Sequence, residues 1–200
     1  MAPGVLAGHY SSEENQIRLS PCLKRSSARM VQGRAQRIDT AERRVHFQVR
    51  PQDPTPAPLG YDLLSLDVGS TYNPDWLDQH LPGAREHALL LRPLERLLRL
   101  WDDVLPLAHS RPLSLAAVGA GAAGCETVLA IAQRLANTPH THRLSVVAGP
   151  AGVLPQAAAG VQRRMLRQLK RWGITVLPQA CVGMTEGEVL LDGGGWPAAA

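Results

Sequence analysis

The residues best suited to chemistry are three glycines in the spacing G-x-G-x-x-G, Gly119, Gly121 and Gly124. Between a strand and a helix, the first glycine permits a tight turn and the second lets the backbone approach a pyrophosphate. The third lets the helix pack closely on the strand. The free N–H groups at the start of that helix favour an anion. The pattern predicts a dinucleotide site, and the alternative is a glycine-rich turn that binds nothing. The predicted binding residues are Gly119, Ala120, Gly121, Ala122, Ala123 and Gly124.

The segments around this turn predict a parallel sheet with helices on its faces. Small apolar residues from Leu113 to Val118 indicate a buried strand ahead of the glycines. Later strands are predicted at Arg143–Ala148 and Ile174–Leu177, with an amphipathic helix over Gln156–Trp172 between them. Two strand–helix–strand crossovers follow, so the fold class is α/β with a parallel sheet.

Other parts of the chain carry weaker local signals. Met1–Tyr10 and the stretch after Ser70 are predicted as loops, and a pattern of leucines with Trp101 predicts a helix over Pro93–Leu105. Further elements are predicted as a capped helix from Ser11 to Leu19 that Pro21 ends, a hairpin of Arg29–Asp39 with Arg44–Arg50, a strand over Tyr61–Val68, and a hairpin of Ala180–Met184 with Glu188–Leu191.

Glu126 is the one acid in the helix that follows the glycines. If it lies one turn into an apolar helix, a buried carboxylate is costly unless it has a partner, which favours a role in the site. The alternative is that Glu126 caps N–H groups or pairs with Arg134.

Charge and cysteine content limit the compartment and the partners. Seven Lys or Arg and no acid lie between Thr127 and Thr185, which suits a phosphate-bearing ligand, an acidic partner or an anionic surface. The basic face at Arg163–Arg171 is predicted to be the solvent face of a Rossmann helix, with contact to a membrane surface as the less favoured alternative.

The three cysteines, Cys22, Cys125 and Cys181, are far apart in the sequence, which predicts no metal site and a reducing compartment. No signal peptide is evident. The predicted location is therefore the cytoplasm, with a peripheral position at the inner membrane as an alternative.

Several blocks in order resemble the FAD-dependent pyridine nucleotide-disulfide oxidoreductase superfamily. The branch they resemble is that of NADH-dehydrogenase-like flavoproteins, including the flavoprotein segment that precedes selenide, water dikinase in some bacterial fusions. The matching blocks are Pro3–Tyr10, Gly33–Asp39, Tyr61–Ser70, Pro82–Ala84 and Gly119–Glu126, continued by Leu154–Pro155 and Trp172–Ile174.

The resemblance implies an α/β, Rossmann-like three-layer FAD/NAD(P)-binding fold of two nested domains, both incomplete here. It also implies two cofactors, FAD and NAD(P)H, and hydride transfer from NAD(P)H to FAD with electrons passing on to a quinone or another small acceptor. It places Gly119, Gly121 and Gly124 at the NAD(P)H pyrophosphate and Glu126 beside the nicotinamide as the candidate catalytic residue. It implies no nucleic-acid partner. The residues it places near FAD are Gly8, Ala35, Asp67, Val68, Gly69 and Ser70.

The chain also departs from the family pattern. A first glycine fingerprint for FAD and a closing FAD segment are missing, so the sequence predicts a piece truncated at both ends: a partial FAD-binding domain over 1–105, an incomplete NAD(P)-binding domain over 106–192 and a tail over 193–200. The acid that holds the ribose 2′-OH in NAD sites is replaced near Ala148, and Arg163 or Arg164 is the alternative contact for a 2′-phosphate. A non-catalytic dinucleotide-binding module or an inactive truncation is the alternative to an oxidoreductase.

Overall fold

A computed structural model describes residues 2–197. The helices are α1 (Ala2–Leu6), α2 (Leu19–Leu23), α3 (Pro74–His80), α4 (Ala84–His87), α5 (Leu94–Ser110), α6 (Ala122–Leu135) and α7 (Ala159–Arg171). The strands are β1 (Arg34–Asp39), β2 (Arg44–Gln48), β3 (Leu59–Gly60), β4 (Ser114–Val118), β5 (Arg143–Val147), β6 (Thr175–Leu177), β7 (Cys181–Met184), β8 (Glu188–Leu191) and β9 (Gly194–Pro197).

The chain forms two compact units. Residues 17–69 form the smaller unit, and the rest of the described chain forms the larger one. The predicted boundary at residue 105 concerns two cofactor domains and stays a prediction. Helix α5 crosses that boundary and packs in the core of the larger unit, where Trp101 contacts the cluster that contains Val128 and Val146.

The centre of the larger unit is the parallel sheet β4-β5-β6. Helix α6 joins β4 to β5 and helix α7 joins β5 to β6, so the predicted strand–helix–strand–helix–strand arrangement and the α/β class are confirmed. Strand β5 lies in the middle and is buried from Leu144 to Val147, because strands cover both of its edges. This sheet brings the carboxyl ends of its strands to one edge.

The larger unit also holds an antiparallel sheet, β7-β8-β9. The hairpin of β7 and β8 was predicted. Strand β9, at Gly194–Pro197, falls in the stretch predicted to be an uninformative tail and pairs with β8 along its whole length. The tail prediction is therefore wrong for these residues, and its remaining part, 198–200, lies outside the described residues.

The smaller unit is built on the predicted hairpin. Strands β1 and β2 pair antiparallel with a bulge between Ala35 and Arg37, and β3 adds a short third strand. The predicted strand at Tyr61–Val68 is wrong. In the described part of the chain it has no partner strand, and its apolar side chains are exposed, 92% for Leu63 and 77% for Val68.

Two local signals near the start of the chain act differently from the prediction. Ser11 and Glu14 make the reciprocal capping bonds, with the Glu14 N–H donating to Ser11 Oγ (3.2 Å), but a turn follows and not a helix. Pro21 lies inside α2 because a proline in a first turn removes only an N–H that has no helical acceptor. The predicted loop before Tyr10 contains α1, whose Leu6 is fully buried.

Candidate functional site

The glycine turn lies at the carboxyl end of β4, as predicted. Gly119 has a φ of +102°, a conformation that favours glycine, and its N–H donates to the carbonyl oxygen of Val147 on β5 (2.9 Å). The carbonyl oxygen of Ala120 accepts from the N–H of Leu154 (2.9 Å) and from the Cys125 thiol (3.4 Å). The turn is therefore tied both to β5 and to the loop that follows β5.

The two later glycines have different surroundings. A Cβ at Gly124 would overlap the carbonyl oxygen of Gly119, so only glycine allows α6 to pack this closely on the turn. A Cβ at Gly121 would meet no atom within 4 Å. The space in front of Gly121 is thus open to a ligand, and the space behind Gly124 is filled by the chain itself.

Helix α6 begins directly after Gly121, next to this open space. Gly121 is the N-cap residue and has no side chain to accept from them, and the first helical N–H bond runs from Cys125 to Gly121 (3.0 Å). Ala122 and Ala123 form the exposed start of the helix, whereas Ala120 is buried. Uncapped N–H groups and the positive end of the helix dipole are the features that bind a phosphate. The residues present therefore fit a pyrophosphate.

Ala148 lies beside the glycine turn. Val118 and Val147 are paired in the parallel register, so the residues that follow them leave the same edge of the sheet side by side. The Ala148 N–H donates to the carbonyl oxygen of Leu177 (2.8 Å), and Gly149 then turns the chain with a φ of +67°. The structure brings this predicted residue together with Gly119–Gly124.

The loop between β5 and α7 includes contacts that the sequence interpretation missed. Gln162, in the first turn and a half of α7, donates from Nε2 to the carbonyl oxygens of Leu154 (3.0 Å) and Ala157 (3.1 Å). Leu154 in turn donates its N–H to Ala120. Gly152 and Pro155 mark a turn here in the sequence, but no local signal shows that the turn closes on the glycine loop.

Glu126 is exposed, so the expectation of a buried carboxylate is wrong. The buried stripe of α6 includes Cys125, Val128 and Ala132, and a residue next to Cys125 lies about 100° away from that stripe. The alternative pairing with Arg134 is also absent among the ion pairs of the described residues. Burial raises the pKa of the Cys125 thiol, and the charge of Glu126 adds to that effect, so Cys125 is a packing residue and not a reactive thiol.

The residues expected near FAD lie apart from the glycine turn along the chain. Ala35 is on β1 opposite Phe47. Asp67 and Val68 end the unpaired stretch of the smaller unit and Gly69 follows it, while Ser70 begins the second part of the larger unit.

Gly8 belongs to the larger unit and follows α1 with a φ of +77°. It packs against the guanidinium of Arg134. Arg134 is ten residues after Gly124 on the same structural element, or about 15 Å along the helix axis, so Gly8 is not part of the Gly119 turn.

A cavity of about 390 Å³ lies beside β4 in the larger unit. All five residues of β4 contribute to its wall, together with Trp101, Val128 and Leu144. Since successive side chains of a strand point to opposite faces, a wall that includes every residue of β4 contains its open edge.

Among residues 2–197, no group of three or more His, Cys, Asp or Glu is arranged to hold a metal ion. None of the helices in that range has both the length and the apolar character needed to span a bilayer.

No family model and no curated protein sequence matches the chain. Solved structures do match its fold. NDH2 from Plasmodium falciparum in complex with NADH has a TM-score of 0.73 at 14% identity, over 96% of this chain and 42% of that one. The sulfide:quinone oxidoreductase of Aquifex aeolicus has a TM-score of 0.73 at 15% identity, over 99% of this chain and 46% of that one.

A third similar structure is an engineered water-forming NADPH oxidase bound to NADPH, made from the Lactobacillus brevis NADH oxidase. Its TM-score is 0.72 at 17% identity, over 98% of this chain and 42% of that one. Its substitutions include an aspartate replaced by alanine and two residues replaced by arginine. The chain thus spans less than half the length of each of these proteins. It shares the Rossmann-like α/β fold of these structures.

Proposed function

We propose that this chain is the NAD(P)H-binding part of a FAD-dependent NAD(P)H oxidoreductase. The observation that carries the proposal is the open position at Gly121 in front of the uncapped start of α6. Gly119 and Gly124 set the turn and the helix contact, so the backbone there needs no rearrangement to accept a pyrophosphate. The fold of the similar flavoproteins supports the class of reaction.

Each part of the dinucleotide has proposed contacts. The pyrophosphate lies on Gly119–Gly124, and the adenosine ribose lies toward Ala148, because both follow neighbouring strands at one edge of the sheet. Glu126, exposed one turn after the glycines, is proposed as the side chain beside the nicotinamide. Its exposure makes the carboxylate accessible to a ligand.

The proposed contacts of FAD rest on the family resemblance. They are Gly8, Ala35 and the segment Asp67–Ser70. When bound, FAD supplies the redox chemistry, with hydride arriving from NAD(P)H and electrons leaving to a quinone or another small acceptor. One of the similar structures is a sulfide:quinone oxidoreductase, which supports a quinone as the acceptor of the whole protein.

A second candidate function is a dinucleotide-binding module without catalysis. One observation favours it: Gly119–Gly124, Ala148 and Leu154 all belong to the larger unit, so the pyrophosphate site forms without residues 17–69. The chain also spans about 42% of the NDH2 structure that it resembles.

Flavin absorbance and nucleotide binding separate the two candidates. An oxidoreductase takes up FAD, absorbs near the flavin bands and loses that absorbance on addition of NADH or NADPH without oxygen. A binding module is colourless after incubation with FAD, but its unfolding temperature rises with NADH or ADP-ribose. Gly121→Val should remove the nucleotide effect in both cases, because its side chain fills the open position.

The matched control is Gly187→Val. Gly187 also has no atom within 4 Å of a built Cβ and has an ordinary φ, but it lies in the turn between β7 and β8. The Gly187→Val variant should bind nucleotide with the same affinity as the unchanged protein. If Gly121→Val keeps full affinity while folding normally, the pyrophosphate site lies elsewhere and the proposal is wrong.

A further inference from the structure

The second strand end of the candidate site lacks the acidic side chain that an NAD site requires. Ala148 follows β5 directly, and no Asp or Glu occurs from Thr127 to Thr185. In NAD sites a carboxylate at this point accepts a hydrogen bond from the ribose 2′-OH, and the same charge repels a 2′-phosphate. The site therefore has neither the contact that favours NADH nor the charge that excludes NADPH.

The loop after Ala148 also leaves space for a larger group. Gly149 and Gly152 both have positive φ, +67° and +77°, and a Cβ built at either one meets no atom within 4 Å. The loop backbone is fixed by the Leu154 and Gln162 hydrogen bonds. The loop beside Ala148 is thus held in place by hydrogen bonds and leaves open space at its two glycines.

Cations lie on the helix that this loop enters. Arg163 and Arg164 are exposed in the amino-terminal half of α7, directly after Gln162, whose side chain holds the loop. Neither forms an ion pair within the described residues. The start of α7 lies at the edge of the sheet where β5 ends, whereas Lys170 and Arg171 are at the far end of the helix, about 10 Å further along its axis.

We propose that this site binds the 2′-phosphorylated dinucleotide, NADPH, in preference to NADH, and that Arg163 and Arg164 bind the 2′-phosphate. This inference rests on the proposed function. An arginine near the second strand end is the usual accommodation for that phosphate. Its planar guanidinium donates two parallel hydrogen bonds to phosphate oxygens. Two unpaired arginines, and a β5 end without an acidic side chain, give the phosphate a favourable local field.

Calorimetric titration of the full chain with NADPH and with NADH tests the preference. The difference in affinity between 2′,5′-ADP and 5′-ADP measures the contribution of the 2′-phosphate alone. We expect NADPH to bind about tenfold more tightly than NADH, as one charge-assisted contact is worth roughly that factor. Ala148→Asp should reverse the order. The double variant R163Q/R164Q should lower NADPH affinity by about tenfold and leave NADH within about twofold.

The matched control is Arg171→Gln, which removes a cation at the far end of the same helix and should change neither affinity. Thermal unfolding of each variant shows that it is folded. Equal or tighter binding of NADH by the unchanged protein overturns the preference, and unchanged NADPH affinity in R163Q/R164Q overturns the role of the arginines. If neither dinucleotide binds, the proposed function itself fails.

Discussion

The carboxyl ends of β4 and β5 are neighbours in one sheet, but they would contact a ligand in different ways. At the end of β4, backbone geometry forms the site: a positive φ at Gly119, open space at Gly121 and close packing at Gly124. At the end of β5, a side chain normally forms the contact, and here that side chain is the methyl group of Ala148. Under the proposed function, the end of β4 provides the capacity to bind a dinucleotide and the end of β5 provides the choice between dinucleotides.

The largest effect should come from the end of β4. Gly124→Val adds a side chain whose Cβ overlaps the Gly119 carbonyl oxygen, so α6 must move away from the turn. We expect a loss of about 3 kcal/mol in the free energy of unfolding, the upper range for a group forced into a packed site. Urea denaturation measures it. Gly121→Ala in the same turn is the control, and an equal loss there would show that the two glycines do not differ as described.

The link between the two strand ends should give a smaller effect. Gln162→Ala removes the two bonds from Nε2 that hold the loop carbonyls of Leu154 and Ala157. We expect about 1 kcal/mol of destabilisation and weaker dinucleotide binding, because the loop also contacts Ala120. Denaturation and calorimetric titration report the two quantities. Gln168→Ala, exposed on the same helix, should change neither; if it acts like Gln162→Ala, the loop bonds are not the cause.

The amino ends of β4 and β5, opposite the candidate site, carry a histidine contact whose stabilising effect depends on pH. The Leu113 N–H donates to Nδ1 of His142 (3.1 Å), and Nε2 of that ring contacts Thr138 Oγ1 (2.6 Å). Because the Thr138 hydroxyl donates to the Leu135 carbonyl (2.7 Å), Nε2 carries the ring proton and Nδ1 is the acceptor. A second proton on Nδ1 would remove the acceptor for Leu113.

Burial, together with the charges of His140 and His109, lowers the pKa of His142 below its ordinary value of 6.5. The folded state then binds fewer protons here than the unfolded state, so this stabilisation is complete above pH 6.5 and is lost as pH falls below that value toward the lowered pKa. His142→Gln should therefore show a smaller loss of stability between pH 7.5 and pH 5.5 than the unchanged protein. Equal losses in urea denaturation would contradict this assignment.

The smallest effect should come from Glu126. Its side chain is exposed, so Glu126→Gln should leave the free energy of unfolding within about 0.5 kcal/mol. If the carboxylate lies beside the nicotinamide, the rate of hydride transfer from NAD(P)H falls while dinucleotide affinity stays nearly constant. Stopped-flow flavin reduction measures that rate. An unchanged rate would remove Glu126 from the site, and Glu95→Gln, at the start of α5, is the control.

The glycine turn and its flanking elements could be predicted because their signals are local. Glycines in fixed spacing, small apolar strands and a 3.6-residue stripe each act within a short stretch of chain. The exposure of Glu126 was also available from helical spacing, since Cys125 and Val128 define the buried stripe. The start of α3 carried a similar signal in Asn73-Pro74: the Asn73 side chain accepts from the N–H groups of Asp75 and Trp76.

Other features depend on partners distant in sequence. The apolar residues at Leu63, Leu66 and Val68 suit a strand, but a strand exists only where another strand pairs with it, and composition does not reveal that partner. The bond from Leu154 to Ala120 joins residues 34 positions apart, and the sequence near either one is an ordinary turn. Tertiary contacts decide both cases.

The open edge of β4 has a consequence for handling the protein. From Ser114 to Val118 it presents backbone groups without a strand on that side in the described chain, and it carries no charge and no proline among its five residues. Natural edges are usually guarded by such residues, because an unguarded edge lets the sheet of one molecule continue into the next. We therefore expect this strand to be a point of sheet-to-sheet association at high protein concentration, and dilute samples to be the condition in which titrations describe single molecules.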